Sequence, residues 1–244
     1  MSMIAFYTGG AGIRAYQEAM NVTAHNIANV QTNGYKAQRA TFQELLYSRI
    51  NTNVAGNHLV GHGVKMASAD QIMTQAGVDQ TYYSLDFAIA GDGFFQVDNR
   101  GQIEYTRNGA FDLSIENGQP TLVTNDGAYV LDRAGNRITL PVDENGAYST
   151  EGLVDRLGVY SFPNLWGLNP ENNARWTQSE NSGDPILMTD QNSDVGVLQG
   201  YLEYSGVELS NEMVNVIQYQ RAFQVNSRVV QTADEMANEL NNMR

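Results

Sequence analysis

Two histidines, His58 and His62, are four residues apart, a spacing that can hold a metal ion on one face of a helix. Gly56 and Gly61 disfavour a helix there, because each glycine costs roughly 1 kcal/mol relative to alanine. No third ligand is close in the sequence, and cysteine, which could supply thiolate ligands or disulfides, is absent. We therefore predict no metal site and no cofactor.

A second group, Asp190, Asn192 and Asp194, is similar to the first half of a calcium-binding loop. Such a loop needs glycine at its sixth position and a bidentate glutamate at its twelfth, where this chain has Val195 and Tyr201. We therefore interpret these residues as part of an ordinary polar loop.

Hydrolytic chemistry has little support in this chain. The G-x-S-x-G pattern of a serine nucleophile does not occur, and the remaining histidine, His25, falls in a predicted helix. The glycines at 91 and 93 lack the lysine of a phosphate-binding loop. Carboxylates are too numerous for any pair to stand out, so a glycosidase stays open without being favoured. We predict that the chain is not an enzyme.

The charge distribution separates the middle of the chain from its ends. The net charge is −13, and residues 51–204 carry the whole excess of acid. An acidic chain is a poor partner for nucleic acid, and no apolar run approaches the ~20 residues of a membrane span. Residues 1–8 contain no basic side chain, so we expect no cleaved secretory signal.

An amphipathic helix is predicted near the beginning of the chain, between residues 3 and 30. Apolar residues recur there at heptad-like positions and form a stripe. The residues of this stripe are Phe6, Ile13, Tyr16, Met20, Ile27 and Val30. Asn33 and Gly34 then end the helix, since glycine tolerates the left-handed conformation that often follows one.

A longer amphipathic helix is predicted at the other end, over residues 209–242. Its stripe consists of Leu209, Met213, Val216, Tyr219, Phe223, Val230, Ala233, Ala237 and Leu240. The stripe is widened on one flank by Ala222, Val229, Met236 and Met243. The asparagines Asn26, Asn29 and Asn226 lie near or inside the two stripes, where they either fix the helix register through buried amides or face solvent.

A helix with an apolar stripe needs something to cover it. The two helices either cover one face of the region between them, or pair with each other and with other copies of the chain. We favour copies, because helices of this length overhang a compact domain, whose diameter is roughly 30 Å. In a free monomer the stripes would lack partners, so we predict that residues 1–35 and 205–244 become ordered on assembly.

The region between the helices has the pattern of a β-sheet, in which short apolar runs alternate with glycine-containing turns. We therefore predict an α+β protein whose terminal helices, residues 1–35 and 205–244, pair as a coiled-coil-like assembly domain. Residues 36–80 are predicted as an extended connector and residues 81–204 as an all-β barrel or sandwich. Within that domain we expect loops over residues 163–194 and a final strand over 197–204.

Four stretches resemble signatures of the bacterial flagellar rod and hook protein family. The N-terminal one is AHNIANVQTNGYK at residues 24–36, and the C-terminal one is GYLEYSGVELSNEMVNVIQYQRAF at 200–223. Between them, DFAIAGDGFFQV at 86–97 and YTRNGAF at 105–111 are similar to the family's β-domain motif. Within the family, the length of the chain is most similar to that of the distal rod branch.

The resemblance implies a structural subunit of the basal-body rod, which crosses the cell envelope. It implies that the terminal helices polymerise copies into a helical tube that transmits torque from the motor to the hook. It also implies passage through the flagellar export apparatus and contact with other rod and hook proteins, with the surrounding ring proteins as further candidates. Two alternatives stay open: a subunit of a hook or another extracellular fibre, and a β-rich carbohydrate-binding or hydrolytic protein.

Overall fold

A computed structural model of the chain describes residues 2–49, 59–116, 118–141, 148–188 and 195–243. Long helices lie at the two ends of the chain and β-strands lie between them, which confirms a mixed fold with terminal helices and a central β region. His58 and residues 190–194, considered above as metal ligands, lie outside the described residues.

The helices and strands have the following bounds. The helices are α1 (Ser2–Ala28), the single-turn α2 (Leu153–Arg156) and α3 (Leu209–Asn242). The strands are β1 (Gln38–Glu44), β2 (Tyr47–Arg49), β3 (Leu59–Gly61), β4 (Val64–Gln71), β5 (Val78–Gln80), β6 (Phe87–Ala90), β7 (Phe94–Asn99), β8 (Gln102–Thr106), β9 (Phe111–Glu116), β10 (Gln119–Thr124), β11 (Tyr129–Val130), β12 (Val159–Ser161), β13 (Asn169–Glu171), β14 (Arg175–Thr177), β15 (Ile186–Leu187), β16 (Gly196–Gln199) and β17 (Tyr201–Glu203).

The chain folds into two compact units, and each unit is assembled from separate stretches of sequence. The helical unit comprises Met1–Ala28, Gln38–Gln71 and Val207–Arg244, and the β unit comprises Asn29–Ala37 and Ile72–Gly206. Residues 36–80, predicted as an extended connector, contain β1 to β5 and are divided between the two units.

The two long helices of the helical unit pack side by side and run antiparallel. Gly9, near the beginning of α1, lies against Val230 in the second half of α3. Further along α1, the ring of Tyr16 is 6.2 Å from that of Tyr219, which is in the first half of α3. The structure confirms the predicted bounds of α3, whereas α1 ends at Ala28, slightly before the predicted residue 30.

Glycine in α1 permits the close approach of α3. A Cβ atom at Gly9 would lie 2.8 Å from Cγ2 of Val230, and one at Gly12 would lie 2.9 Å from Nδ2 of Asn226. By contrast, no atom lies within 4 Å of the position of a Cβ at Gly10. The helix therefore bears the propensity cost of glycine at positions 9 and 12 because a larger residue would separate the pair.

Strands β1 and β4 complete the helical unit as an antiparallel pair that packs on α1. Their register shifts between Thr41 and Phe42, which is the mark of a β-bulge. The ring of Phe42 lies 5.5 Å from that of Tyr16 and 6.1 Å from that of Tyr219, so one aromatic cluster joins both helices to the strand pair.

The β unit is built on a sheet whose strands follow the order β13-β14-β8-β7-β11-β10-β9, with β12 pairing with β7 and β15. Side chains of β7 alternate between two buried apolar clusters. Phe95 and Val97 belong to the larger cluster, and Phe94 belongs to the smaller one with Tyr105 and Trp176. The beginning of this strand therefore buries an aromatic side chain on each face, which explains why two phenylalanines are adjacent there.

The C-terminal part of the β unit differs from the prediction in two places. The stretch 163–194, predicted as loops, contains the short strands β13, β14 and β15, which are too short to show a period of two. The single final strand predicted over 197–204 is divided into β16 and β17 at Gly200, whose φ is 77°. The two pieces pair with different strands, β6 and β5.

Candidate assembly surface

One side of α3 packs against α1 and holds most of the predicted stripe. These residues are half-buried or buried: Val216, Tyr219, Phe223, Val230 and Ala233 on α3, and Ile13, Tyr16, Met20 and Ile27 on α1. Val30, also in the predicted stripe, is half-buried but belongs to the β unit. A large part of the predicted interface is thus covered within one copy of the chain.

The rest of the predicted stripe is exposed. Those residues are Phe6, Leu209, Met213, Ala237 and Leu240. All except Phe6 lie on α3, which is therefore the helix that leaves more of its apolar surface uncovered.

A second apolar face runs along α3 beside the side that packs on α1. We call it the outer face, and it consists of Val214, Val225, Val229, Met236 and Leu240. Steps of 11, 4, 7 and 4 residues separate these positions, so they stay on one side of a helix with 3.6 residues per turn. Four of the five are 51–65% exposed and Val229 is 39% exposed, so the described residues leave this face largely uncovered.

The outer face was only partly predicted from the sequence. Val229 and Met236 were identified as a flank of the stripe, but Val214 and Val225 were missed, as was the neighbouring exposed Ile217. The 11-residue step from Val214 to Val225 was the available signal, since it corresponds to three helical turns. An assignment of α3 to a single heptad repeat does not reveal this step, because it places the apolar residues in one stripe.

Asn26 is buried inside the helical unit and joins three of its elements. Its Nδ2 donates to the carbonyl oxygen of Gln38 at 2.7 Å and to Oε1 of Glu212 at 2.9 Å. Its Oδ1 accepts a hydrogen bond from the backbone N–H of Gln38 at 2.9 Å. The amide therefore connects α1 to the beginning of β1 and to α3 in one register.

The other asparagines and Gly34 make hydrogen bonds or turns within their own segments. Asn226 donates from Nδ2 to the carbonyl oxygen of Ala222 in its own helix at 2.9 Å. Asn29 accepts from Oγ1 of Thr32 at 3.2 Å, and Asn33 is half-buried in the same turn. Gly34 has a φ of 69° and supplies the left-handed position that this turn requires.

Burial raises the pKa of Tyr219 in the aromatic cluster, and nearby Glu212 and Tyr16 act in the same direction. Burial disfavours the charged phenolate, so Tyr219 contributes apolar packing to the cluster.

The described residues contain no set of side chains arranged for catalysis. A polar cavity of about 240 Å³ in the β unit is lined by Thr32, Thr106, Asn108, Thr124, Asn125, Asp126, Asn173 and Arg175. Its one carboxylate, Asp126, is bound by Arg175, Thr124 and Asn173. A typical glycosidase would need a pair of free acids there, and this cavity does not supply one.

Three family models match separate parts of the chain. "Flagella basal body rod protein" matches residues 6–36, "Flagellar hook protein FlgE/F/G D1 domain" matches 88–155, and "Flagellar basal body rod FlgEFG protein C-terminal" matches 198–243. Together with the terminal helices and the central β region, these matches define the class of flagellar rod and hook proteins.

Relatives that match over nearly their whole length show which members of this class the chain is similar to. The flagellar basal-body rod protein FlgG of Buchnera aphidicola subsp. Acyrthosiphon pisum (strain APS) is 36% identical over 95% of this chain and 96% of its own length. FlgG of Bacillus subtilis (strain 168) is 32% identical over 98% of both chains, and the flagellar hook-basal body complex protein FlhP of the same organism is 28% identical. The chain belongs to the flagellar basal-body rod protein family.

Family membership makes the chain a structural protein of the flagellar basal body and not an enzyme. This corrects the alternative of a hydrolytic protein. It also implies assembly with other rod and hook proteins. Among the described helices, none combines the length and apolar character needed to cross a bilayer.

Proposed function

We propose that copies of this chain polymerise through the outer face of α3, with the paired α1 and α3 as the repeating block. The supporting observation is that this face remains exposed although α1 already covers the adjacent side of the same helix. A surface that contacts a different surface on the next copy produces a ring if the rotation between copies closes and a filament if it does not, and the proposal requires the second case. The filament is a helical tube that transmits torque from the motor to the hook.

Apolar burial supplies the driving force for this polymerisation. At ~25 cal/mol per Å², burying about 1,000 Å² of apolar surface corresponds to about 25 kcal/mol before ordering costs, which offset much of it. Helix α3 has 34 residues and a length of about 50 Å, so it offers a long strip for such contacts. Because α1 and α3 already pack on each other within one copy, this proposal takes the place of the expectation that the termini become ordered only on assembly.

Two finer features of the fold belong to this proposal. The antiparallel α1–α3 pair acts as a coiled-coil-like block, supported by its close glycine contacts and by the buried amide of Asn26 that fixes its register. The β region acts as a barrel-like or sandwich-like body, supported by the two apolar clusters on opposite faces of β7. The partners beyond the chain itself are other rod and hook proteins, the flagellar export apparatus and the surrounding ring proteins.

The test replaces one residue of the outer face by a charge. Val225→Asp should abolish filaments in electron micrographs of the purified protein, because each contact would then bury an unpaired carboxylate. Gln231→Asp is the matched control, since Gln231 is exposed on the same helix but away from the outer face. Circular dichroism should show that both variants keep the helical content of the unsubstituted chain.

The same experiment separates the outer face from the helix pair. Phe223→Asp and Val230→Asp fall on the side that packs against α1, so they should lower helical content as well as assembly. Normal filaments from Val225→Asp would show that copies do not meet at the outer face.

A further inference from the structure

Three charged side chains are buried together inside the β unit. Glu203 accepts from Nζ of Lys36 on Oε1 at 2.7 Å and from NH1 of Arg107 on Oε2 at 3.2 Å. The side chains of all three are 1% exposed. Both oxygens of one carboxylate are thus shared between two cations, and we call this group the ionic latch.

The members of the ionic latch come from distant parts of the sequence. Lys36 ends the N-terminal signature, Arg107 lies in the central motif, and Glu203 lies in the C-terminal signature. Each also bonds to the backbone of another segment. These bonds are Lys36 Nζ to the Thr74 oxygen, the Ala76 N–H to Glu203 Oε1, and Arg107 NH2 to the Gly91 oxygen, each at 2.9 Å.

Backbone hydrogen bonds connect the same segments as the charged side chains do. The N–H of Gly34 donates to the carbonyl oxygen of Glu203 at 2.9 Å, and the N–H of Gly206 donates to that of Tyr35 at 2.8 Å. A Cβ atom at Gly34 would lie 2.6 Å from the carbonyl carbon of Arg107. The segment 34–36 is therefore seated directly on the segments that carry the other two charges.

Buried ion pairs seldom stabilise a fold more than well-packed apolar residues would, because desolvating the charges offsets their attraction. Removing the carboxylate that both cations share, however, would leave two uncompensated charges in the interior and is strongly destabilising. A buried ionic group therefore makes each of its segments depend on the presence of the others. That dependence, rather than net stability, is what the ionic latch adds to the β unit.

We propose that the ionic latch makes the segments around residues 34–36, 74–76 and 203–206 close and open as one local cooperative unit, separately from the main sheet. Proteins open in such contiguous units, with free energies below that of global unfolding. The signature residues Lys36 and Glu203 then have a role in completing the β unit. This role goes beyond the proposed polymerisation and does not depend on it.

Residue-resolved hydrogen exchange of the full chain tests the proposal. In Glu203→Gln, which keeps the size of the side chain but leaves Lys36 and Arg107 without a counter-charge, exchange of the amides of Gly34, Ala76 and Gly206 should accelerate together, on the order of 100-fold. The amides of Leu122 and Ile138 should change less than about threefold, because they are bonded within the main sheet region, to Ile138 and Val130.

Arg100→Met is the matched control, since Arg100 is an exposed cation of the same unit. It should leave all five amides unchanged, as exposed charges contribute little. If Glu203→Gln does not fold, exchange of the same amides is measured in Lys36→Met, which removes one cation and its bond to Thr74 but keeps the Arg107–Glu203 pair.

Three outcomes would overturn the proposal. In the first, acceleration is confined to Gly34, which would mean that the segments are independent. In the second, Leu122 and Ile138 accelerate as much as the three reporter amides. In the third, both variants fail to fold, which would mean that the ionic group supports the whole unit rather than a local part.

Discussion

The β unit and the helical unit place their apolar side chains in opposite ways. In the β unit, Phe95, Leu122 and Trp176 are buried in clusters that this unit completes by itself. In the helical unit, Val225 and Met236 remain exposed although α1 covers the adjacent side of the same helix. The β unit is thus finished within one copy, whereas the helical unit retains a surface of the kind that further copies can cover.

The largest expected effect comes from removing a core side chain of the β unit. Phe95 is fully buried and its ring lies 5.3 Å from that of Phe111, so Phe95→Ala should lower the free energy of unfolding by about 3–5 kcal/mol. Both tryptophans, Trp166 and Trp176, belong to the β unit, so tryptophan fluorescence in urea reports its transition.

Helical circular dichroism, measured in the same urea titration, reports mainly on α1 and α3. It should keep its midpoint in Phe95→Ala, because no core residue of the helical unit has changed. If the midpoints of tryptophan fluorescence and circular dichroism shift together, the two units unfold as one. The β unit would then not be stable independently of the helical unit.

A smaller effect is expected from neighbouring glycines in α1. Gly9→Ala should destabilise the helix pair by about 1–2 kcal/mol, because the new methyl group meets Val230, whose β-branched side chain has little freedom to move. Gly10→Ala faces open space and should stabilise the helix by up to about 1 kcal/mol. Thermal unfolding followed by circular dichroism measures both. Stabilisation by both substitutions would mean that the helices are not in close contact at Gly9.

The smallest expected effect is a dependence on pH. Burial lowers the pKa of Lys36 below 10.5 and Arg107 acts in the same direction, while Glu203 and Asp92 oppose them. Between the lowered pKa and 10.5 the unfolded chain holds more protons than the folded chain, so this group makes stability rise with pH in that window. The free energy of unfolding should therefore rise with pH in the unsubstituted chain relative to Lys36→Met. If urea titrations show that this difference in the free energy of unfolding stays constant or falls as the pH rises, the pKa of Lys36 is not lowered.

The long helices could be predicted from the sequence because their patterns are continuous. Residues 209–242 contain no glycine or proline, so the heptad period extends without interruption and gives both bounds of α3. The end of α1 was less well defined, because the turn that begins at Asn29 contains residues that a helix also accepts. Strands of two or three residues, such as β15, were not predictable because so short a segment has no measurable period.

The candidate site was only partly predictable for a different reason. A periodic pattern shows that a residue is apolar and on a given side of a helix, but it does not show whether the same chain covers that side. Tyr219 and Val225 are both apolar positions of α3, and only the fold distinguishes the half-buried one from the exposed one. The ionic latch carried no signal in the sequence, since charged residues are usually exposed and Glu203 is far from Lys36 along the chain.

The interleaving of the two units has a consequence for incomplete chains. The β unit takes its first piece from Asn29–Ala37 and its last from the stretch ending at Gly206, while the helical unit begins before the first and ends after the last. A chain that stops anywhere between residues 29 and 205 consequently lacks both α3 and part of the β unit. Premature stop codons over that range should therefore yield fragments in which neither unit can be completed.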